Sequence, residues 1–171
     1  PPAHPAGGAS LFSGADASLR HHWDGSSLDE LFGSSACAAD DFDGDGVPDL
    51  LIGAPSYAGS SVTGSAYLYS GSSGALLHEH AVPPGIVGLD GNGDFDVDGY
   101  PDYCVQYSWT SPVYLEIWSP HLNQLLFFQS DPPGVDVAGF VDLTGEGQPD
   151  LLLSTDHPLQ SVIEAWDHGG S

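Results

Sequence analysis

The feature that most constrains this chain is a nine-residue acidic stretch written three times. Asp41-Phe-Asp43-Gly-Asp45-Gly-Val-Pro-Asp49 returns 53 residues on as Asp94-Phe-Asp96-Val-Asp98-Gly-Tyr-Pro-Asp102, and 48 further as Asp142-Leu-Thr144-Gly-Glu146-Gly-Gln-Pro-Asp150. Each copy puts an oxygen-bearing residue at positions 1, 3, 5 and 9, Gly at 6 and Pro at 8. A second element recurs between them. ASLFSGADASLRHH (9–22) aligns with AYLYSGSSGALLHE (66–79) and LEIWSPHLNQLLFF (115–128), and IEAWDHGGS (163–171) begins another copy. Phe12, Tyr69, Trp118 and Trp166 share one column; Leu19, Leu76 and Leu125 share another.

Self-similarity at about 50 residues is the mark of a repeat architecture. Each repeat reads as a strand, a polar turn, a returning strand, a small-residue strand, the acidic loop and an outgoing strand. Outgoing strands are expected at Leu50–Ile52, Tyr103–Gln106 and Leu151–Leu153. Four strands per repeat is the rhythm of a propeller blade. The expected fold class is all-β, with propeller-like blades of antiparallel four-stranded sheets, about three in number, plus one surplus strand at 161–167. Residues 1–8 read as an extended lead. Residues 9–171 read as one domain with repeats at approximately 9–60, 64–110 and 113–157 and the start of a fourth at 161–171. Gly (23) and Pro (14) are abundant, which suits short strands and turns. One helical turn is conceivable, at Ser27–Phe32. VPPG (82–85) and DPPG (131–134) are turn signals at matching places.

Charge narrows the function. The chain carries 24 acidic residues and a single basic one, Arg20, for a formal charge of −23. Nucleic acid needs Lys and Arg for its phosphates, so it is excluded as a partner. Anionic membrane surfaces are excluded on the same ground, and no stretch reads as a membrane span or a signal peptide. The start at Pro1 without Met fits either processing or excision of a fragment. A cation-binding protein fits the charge, as does a protein kept soluble in saline water.

Alternating oxygen ligands in a tight loop describe a hard-cation site, and calcium takes about 6–8 oxygens. The candidate ligands are Asp41, Asp43, Asp45, the carbonyl of Val47 and Asp49 in loop one. In loop two they are Asp94, Asp96, Asp98, the carbonyl of Tyr100 and Asp102. In loop three they are Asp142, Thr144, Glu146, the carbonyl of Gln148 and Asp150. Loop three is the weaker, because Thr144 is neutral and Glu146 longer than Asp. An EF-hand is excluded three times over: it needs Glu at position 12 and flanking helices, and that position holds Ile52, Val105 and Leu153. About three calcium ions, structural in role, are expected. They would neutralise part of the charge and add their binding free energy to folding.

FGSSACAADDFDGDGVPDLLIGAP (32–55) resembles an FG-GAP repeat, the type found in integrin α-subunit propellers and in many bacterial surface proteins. Phe32-Gly33 matches the FG and Gly53-Ala54-Pro55 the GAP; repeats two and three have Gln106-Tyr107-Ser108 and Ser154-Thr155-Asp156 instead. The resemblance implies a propeller-like fold with one calcium per hairpin. The reading that follows is a secreted or surface protein, non-catalytic, acting as a structural module; the surplus strand at 161–167 and its unpaired edge extend it to self-association into a fibre or sheath. An adhesion fragment recognising protein or glycan is the alternative, and an accessory domain of a secreted hydrolase the second. No nucleophile elbow or paired carboxylates argue for an enzyme. His21, His22, His78 and His80 occupy equivalent places that hold Phe127 and Phe128 in the third repeat, which suits a packing face better than a zinc site. Cys37 and Cys104 stand beside neighbouring loops, and their spacing leaves a disulfide and free thiols both open. Trp109 is the tryptophan expected at a surface.

Overall fold

A computed structural model describes residues 6–56, 63–108, 113–131, 135–145, 147, 149–157 and 160–166. Thirteen strands run through them with no helix among the described residues. They are β1 (Gly8–Phe12), β2 (Leu19–Asp24), β3 (Ser35–Ala39), β4 (Asp49–Ala54), β5 (Gly64–Tyr69), β6 (Leu76–Val82), β7 (Ile86–Asp90), β8 (Tyr103–Tyr107), β9 (Val113–Ser119), β10 (Gln124–Asp131), β11 (Val135–Val141), β12 (Asp150–His157) and β13 (Gln160–Trp166).

Every strand pair is antiparallel and joins consecutive strands. The sheets are β1-β2, β3-β4-β5-β6, β7-β8-β9-β10 and β11-β12-β13. The architecture is therefore all-β with propeller-like blades. Thirteen strands match three four-stranded blades and one strand more, but the sheets distribute them in another phase. The segment expected as surplus, β13, is the third strand of the last sheet. The opening pair β1-β2 is a two-stranded sheet of its own, starting at Gly8, and Gly7 already forms a bridge to Phe32. Each full sheet opens on the small-residue strand before an acidic loop and closes on the aromatic strand and its return, a phase shifted from the sequence repeats.

The registers show that the repeats are structurally equivalent. The residue following the ninth loop position pairs with the aromatic column each time: Leu50 with Tyr69, Tyr103 with Trp118, Leu151 with Trp166. A register shift falls on or beside that column in β1, β5 and β10.

Stacking follows from the two-residue period of a strand. All five residues of β8 are buried. Tyr103, Val105 and Tyr107 join Leu51, Leu68 and Val82 of the preceding sheet, while Cys104 joins Leu151 of the following one. On β4, Leu51 faces the second sheet, and Ile52 and Ala54 face the other way, toward Phe32, Ala9 and Trp23. Strands covered on both faces carry apolar residues on both, as Leu51 and Ile52 of β4 and Cys104 and Val105 of β8 do, with Gln106 the buried polar residue among them. The innermost strands adjoin through a parallel bridge from Ala39 to Gly91.

Ser27–Phe32 makes a turn rather than a helix. Glu30, 5% exposed, organises it: its carboxylate accepts the Ser26 N–H (2.6 Å), the Ser26 hydroxyl (2.8 Å), the Ser27 N–H (3.3 Å) and the Tyr67 hydroxyl (2.8 Å). Burial works to raise its pKa, and these hydrogen bonds outweigh it and hold the carboxyl below its usual range. The turn delivers Phe32 into the core and Gly33 to φ 82°, where a Cβ would sit 2.5 Å from the Gly8 carbonyl oxygen. The Gly33 N–H donates to the Gly53 carbonyl at 3.0 Å, so the first and last residue groups of this repeat meet.

His78 and His80 share one face of β6, as their alternation requires. Both rings pack on Tyr103 and Trp118 of the next sheet. His80 Nε2 lies 3.2 Å from Glu116 Oε2, and the Tyr107 hydroxyl donates to Glu116 Oε1 at 2.7 Å. This is an inter-sheet contact. The histidines of β2 bond elsewhere: His22 to Ser10 and Asp24, His21 to the Ser72 carbonyl. Cys37 and Cys104 are free thiols, so the disulfide left open by the sequence is not formed. Burial pushes the Cys37 thiol up to about 12 and Cys104 well above its usual value, which keeps both protonated and unreactive. Trp109 lies outside the described residues.

Candidate metal centres in the acidic loops

Each acidic loop is folded by its own carboxylates. Asp41 Oδ1 accepts the N–H groups of Gly44 (2.8 Å) and Asp45 (3.0 Å), and its Oδ2 accepts that of Gly46 (2.7 Å). Asp94 does the same in loop two with Asp98 (3.0 Å) and Gly99 (2.8 Å), and Asp142 in loop three with Gly145 (2.6 Å) and Gly147 (2.9 Å). Such wrapping requires left-handed backbone. Positions 4 and 6 adopt it in all three loops: Gly44 and Gly46 (φ 75° and 87°), Val97 and Gly99 (60° and 94°), Gly145 and Gly147 (78° and 84°). The glycine at position 6 was legible as a bend. The need at position 4 was missed, although Gly44 and Gly145 signalled it.

The ninth position behaves differently from the others. Asp49, Asp102 and Asp150 are 1%, 0% and 2% exposed, whereas Asp43, Asp45, Asp96, Asp98 and Asp142 are exposed. Each ninth carboxylate reaches back across its loop to a backbone N–H: Phe42 to Asp49 (2.8 Å), Phe95 to Asp102 (2.8 Å), Leu143 and Thr144 to Asp150 (2.7 and 2.9 Å). Asp49 also accepts the Gly71 N–H from the β5–β6 turn (3.0 Å). That turn leans on loop one: the Ser72 hydroxyl bonds Asp45, and a Cβ on Gly71 would collide with the Pro48 carbonyl oxygen. The sequence marks Ser70–Gly74 as a polar turn but not the contact of Gly71 and Ser72 with loop one, because that contact spans separate elements.

The loops bring carboxylates together. Asp41, Asp43 and Asp49 each offer an oxygen within 4.8 Å of the others, and so do Asp94, Asp96 and Asp102. Two oxygens on one calcium are at most about 5 Å apart, so both triads have the span of a first ligand set. Asp45 and Asp98 fall outside the triads; each turns one oxygen to its own loop, accepting the Val47 N–H (2.9 Å) and the Tyr100 N–H (2.9 Å). Val47 and Tyr100 sit at the seventh position with 40% and 48% exposed residues. In loop three the structure places Asp142 and Thr144 at the surface and Asp150 in the core. Glu146 and Gln148 lie outside the described residues.

Electrostatics marks the same positions. Burial raises the pKa of Asp49 against the pull of the Gly71 and Phe42 N–H groups. Burial pushes Asp102 up to about 6, with the nearby Asp96 charge adding to it. Asp102 Oδ1 is buried and accepts no hydrogen bond. A carboxylate oxygen held in the core, unpartnered, beside two further carboxylates is a group short of a cation. The donor set, all oxygen, suits a hard ion such as calcium rather than zinc. No histidine belongs to a group of three metal-ligating side chains among the described residues.

Residues 32–69 match the family model described as FG-GAP repeat. Among curated proteins the chain is 29% identical to integrin alpha-6 of Gallus gallus, across 86% of this chain and 16% of that protein. It is 32% identical to integrin alpha-7 of Rattus norvegicus and of Mus musculus, across 65% of this chain and 10% of each. The chain thus spans less than a fifth of the length of these relatives.

Proposed function

We propose, for a chain that carries FG-GAP repeats of integrin α type, that it is an extracellular, non-catalytic adhesion or ligand-binding module whose blades are held by calcium. The observation that supports this best is the repeated triad built on a buried aspartate, Asp49 in loop one and Asp102 in loop two, the second with an oxygen left without a hydrogen bond. Asp41, Asp43 and Asp49 would hold one ion and Asp94, Asp96 and Asp102 a second. Asp142 and Asp150, with Thr144, Glu146 and the Gln148 carbonyl, would hold a third. The carbonyls of Val47 and Tyr100 would complete the first two shells. The ion supplies positive charge to a cluster that otherwise repels itself; the chain supplies the cage. Asp41, Asp94 and Asp142 fix the loop backbone, and the ninth aspartate ties the loop to its outgoing strand.

The role follows from where those strands go. Loops one and two each end on a strand buried between two sheets, so ordering the loop orders a blade. The surface and extracellular setting comes from the likeness to integrin α chains. Self-association into a fibre, or completion by further repeats, extends the reading: β1 has β2 as its one strand partner in its sheet among the described residues. Light scattering with and without calcium separates a monomer from an assembly. The test of the module itself is thermal unfolding in excess chelator against millimolar calcium. Calcium raises the melting temperature, and a count near three ions emerges from titration followed by calorimetry. An unchanged melt in chelator ends the calcium reading.

A further inference from the structure

The first two full sheets approach closely where β3 and β7 end. A Cβ on Gly91 would sit 2.7 Å from the Ala39 Cβ and 2.9 Å from Leu51 Cδ1, and the Asp40 N–H donates to the Gly91 carbonyl at 2.8 Å. Asn92, the next residue, is exposed and lies across this seam. Its Nδ2 donates to the Ala38 carbonyl of the first full sheet (3.3 Å) and to Asp90 Oδ1 of its own (3.1 Å). A carbonyl and a carboxylate only accept, so the side chain meets both through its NH₂ group. Asn92 is followed by Gly93, whereas Asn123, the chain's other asparagine, is followed by Gln124.

We propose that Asn92 is a modification site: it loses its side-chain amide spontaneously, and the carboxylate that replaces it weakens the seam between the two sheets. The backbone nitrogen of Gly93 attacks the Asn92 side-chain carbonyl carbon. A C–N bond forms, the bond to Nδ2 breaks, and the Gly93 amide proton leaves with Nδ2 as ammonia. Solvent water then opens the cyclic imide at either carbonyl, leaving aspartate or isoaspartate at position 92. Glycine favours the ring closure, since it has no side chain to shield its nitrogen and its backbone turns freely. The exposure of Asn92 admits the water. The product cannot repeat the native contacts. A carboxylate only accepts, and it faces the Ala38 carbonyl and the Asp90 carboxylate, which also only accept. Two like charges at that distance repel. The chain's single Lys or Arg is Arg20, on β2 in another sheet. An isoaspartate also lengthens the backbone between two anchored residues: the Gly91 carbonyl accepts the Asp40 N–H, and the Gly93 carbonyl accepts the Asp102 N–H at 2.6 Å. Conversion therefore acts on the seam and on the closure of loop two, and neither effect needs a bound ion.

The full chain is aged in mildly alkaline buffer with millimolar calcium and mapped by peptide mass spectrometry. Asn92 converts while Asn123 stays intact, with aspartate and isoaspartate both present at position 92 and a single ammonia released per chain. The aged, more anionic fraction from ion exchange melts below the fresh protein. Variants of unaged protein test the consequence separately. Asn92→Asp lowers the melting temperature by about 2–4 °C. Asn92→Ala, which loses the same hydrogen bonds without adding charge, lowers it less. The same order is expected in calcium and in chelator. Asn92 surviving as long as Asn123, or conversion to aspartate with no isoaspartate, overturns the modification site. Asn92→Asp melting with the native chain, or no lower than Asn92→Ala, overturns its effect on the seam.

Discussion

Val97 occupies a backbone conformation that its side chain resists. It is the fourth residue of loop two, at φ 60°, where loops one and three place Gly44 and Gly145. Left-handed backbone costs an L-residue about 1–2 kcal/mol, and β-branching makes the fit worse. The side chain returns little for this, being 51% exposed. Val97→Gly removes the strain but gives the unfolded chain more freedom, a loss of about 0.4–1 kcal/mol. The net expectation is a gain of about 0.5–1 kcal/mol, or roughly 1–4 °C in melting temperature for a domain of this size. The reciprocal change, Gly44→Val, imposes on loop one the strain that loop two now bears and, with the unfolded-chain term reversed in sign, lowers stability by about 0.5–1 kcal/mol. Calorimetry of both variants in chelator isolates the backbone from ion binding. Val97→Ala keeps the positive φ without the branch and falls between Val and Gly. A drop in stability for Val97→Gly, or a neutral Gly44→Val, would refute the argument that position 4 of the loop demands left-handed backbone.

Two further perturbations address buried carboxylates. In chelator at pH 7, Asp102→Asn stabilises the protein by up to ~3 kcal/mol, the cost of a native pKa near 6 against about 3.9 in the unfolded chain; in calcium the same change destabilises it, and equal effects in both media would contradict the site. The sign with pH follows: the native carboxyl binds more protons than the unfolded one between about pH 4 and 6, so native stability falls as pH rises through that window, and the advantage of Asp102→Asn over the native chain shrinks on acidification from pH 7 to 5. Tyr67→Phe withdraws one of four donors from the buried Glu30 and costs about 2 kcal/mol by chemical denaturation; pairing it with Glu30→Gln in a double-mutant cycle returns a coupling energy, and additivity would show the contact to be idle.

The blade was legible in this sequence because its signals are local and repeated. Turn residues, apolar runs and the acidic skeleton recur in step, and the registers Leu50–Tyr69, Tyr103–Trp118 and Leu151–Trp166 fall where the columns align. What the sequence concealed lies between elements. The period does not say where a sheet begins, so the repeat boundaries and the sheet boundaries differ by half a unit, and β13 looked surplus until it paired with β12. Nor does spacing distinguish the roles of the four similar aspartates in each of loops one and two. The structure separates them by depth: the ninth is buried and joins the triad, the first wraps backbone, and the fifth turns toward its own loop. Burial explains the difference in consequence. An exposed aspartate loses little without an ion, since water solvates it, whereas Asp102 has an oxygen buried from water without a well-formed hydrogen bond, and nearby Ser119 and the Asp96 N–H only partly offset the burial. If calcium fills that position, its contribution is concentrated on the one ligand that is also the first residue before a fully buried strand. A cation there acts on the inter-blade core directly, and removing it loosens the stacking of β8 between its neighbours before it disturbs the exposed part of the loop.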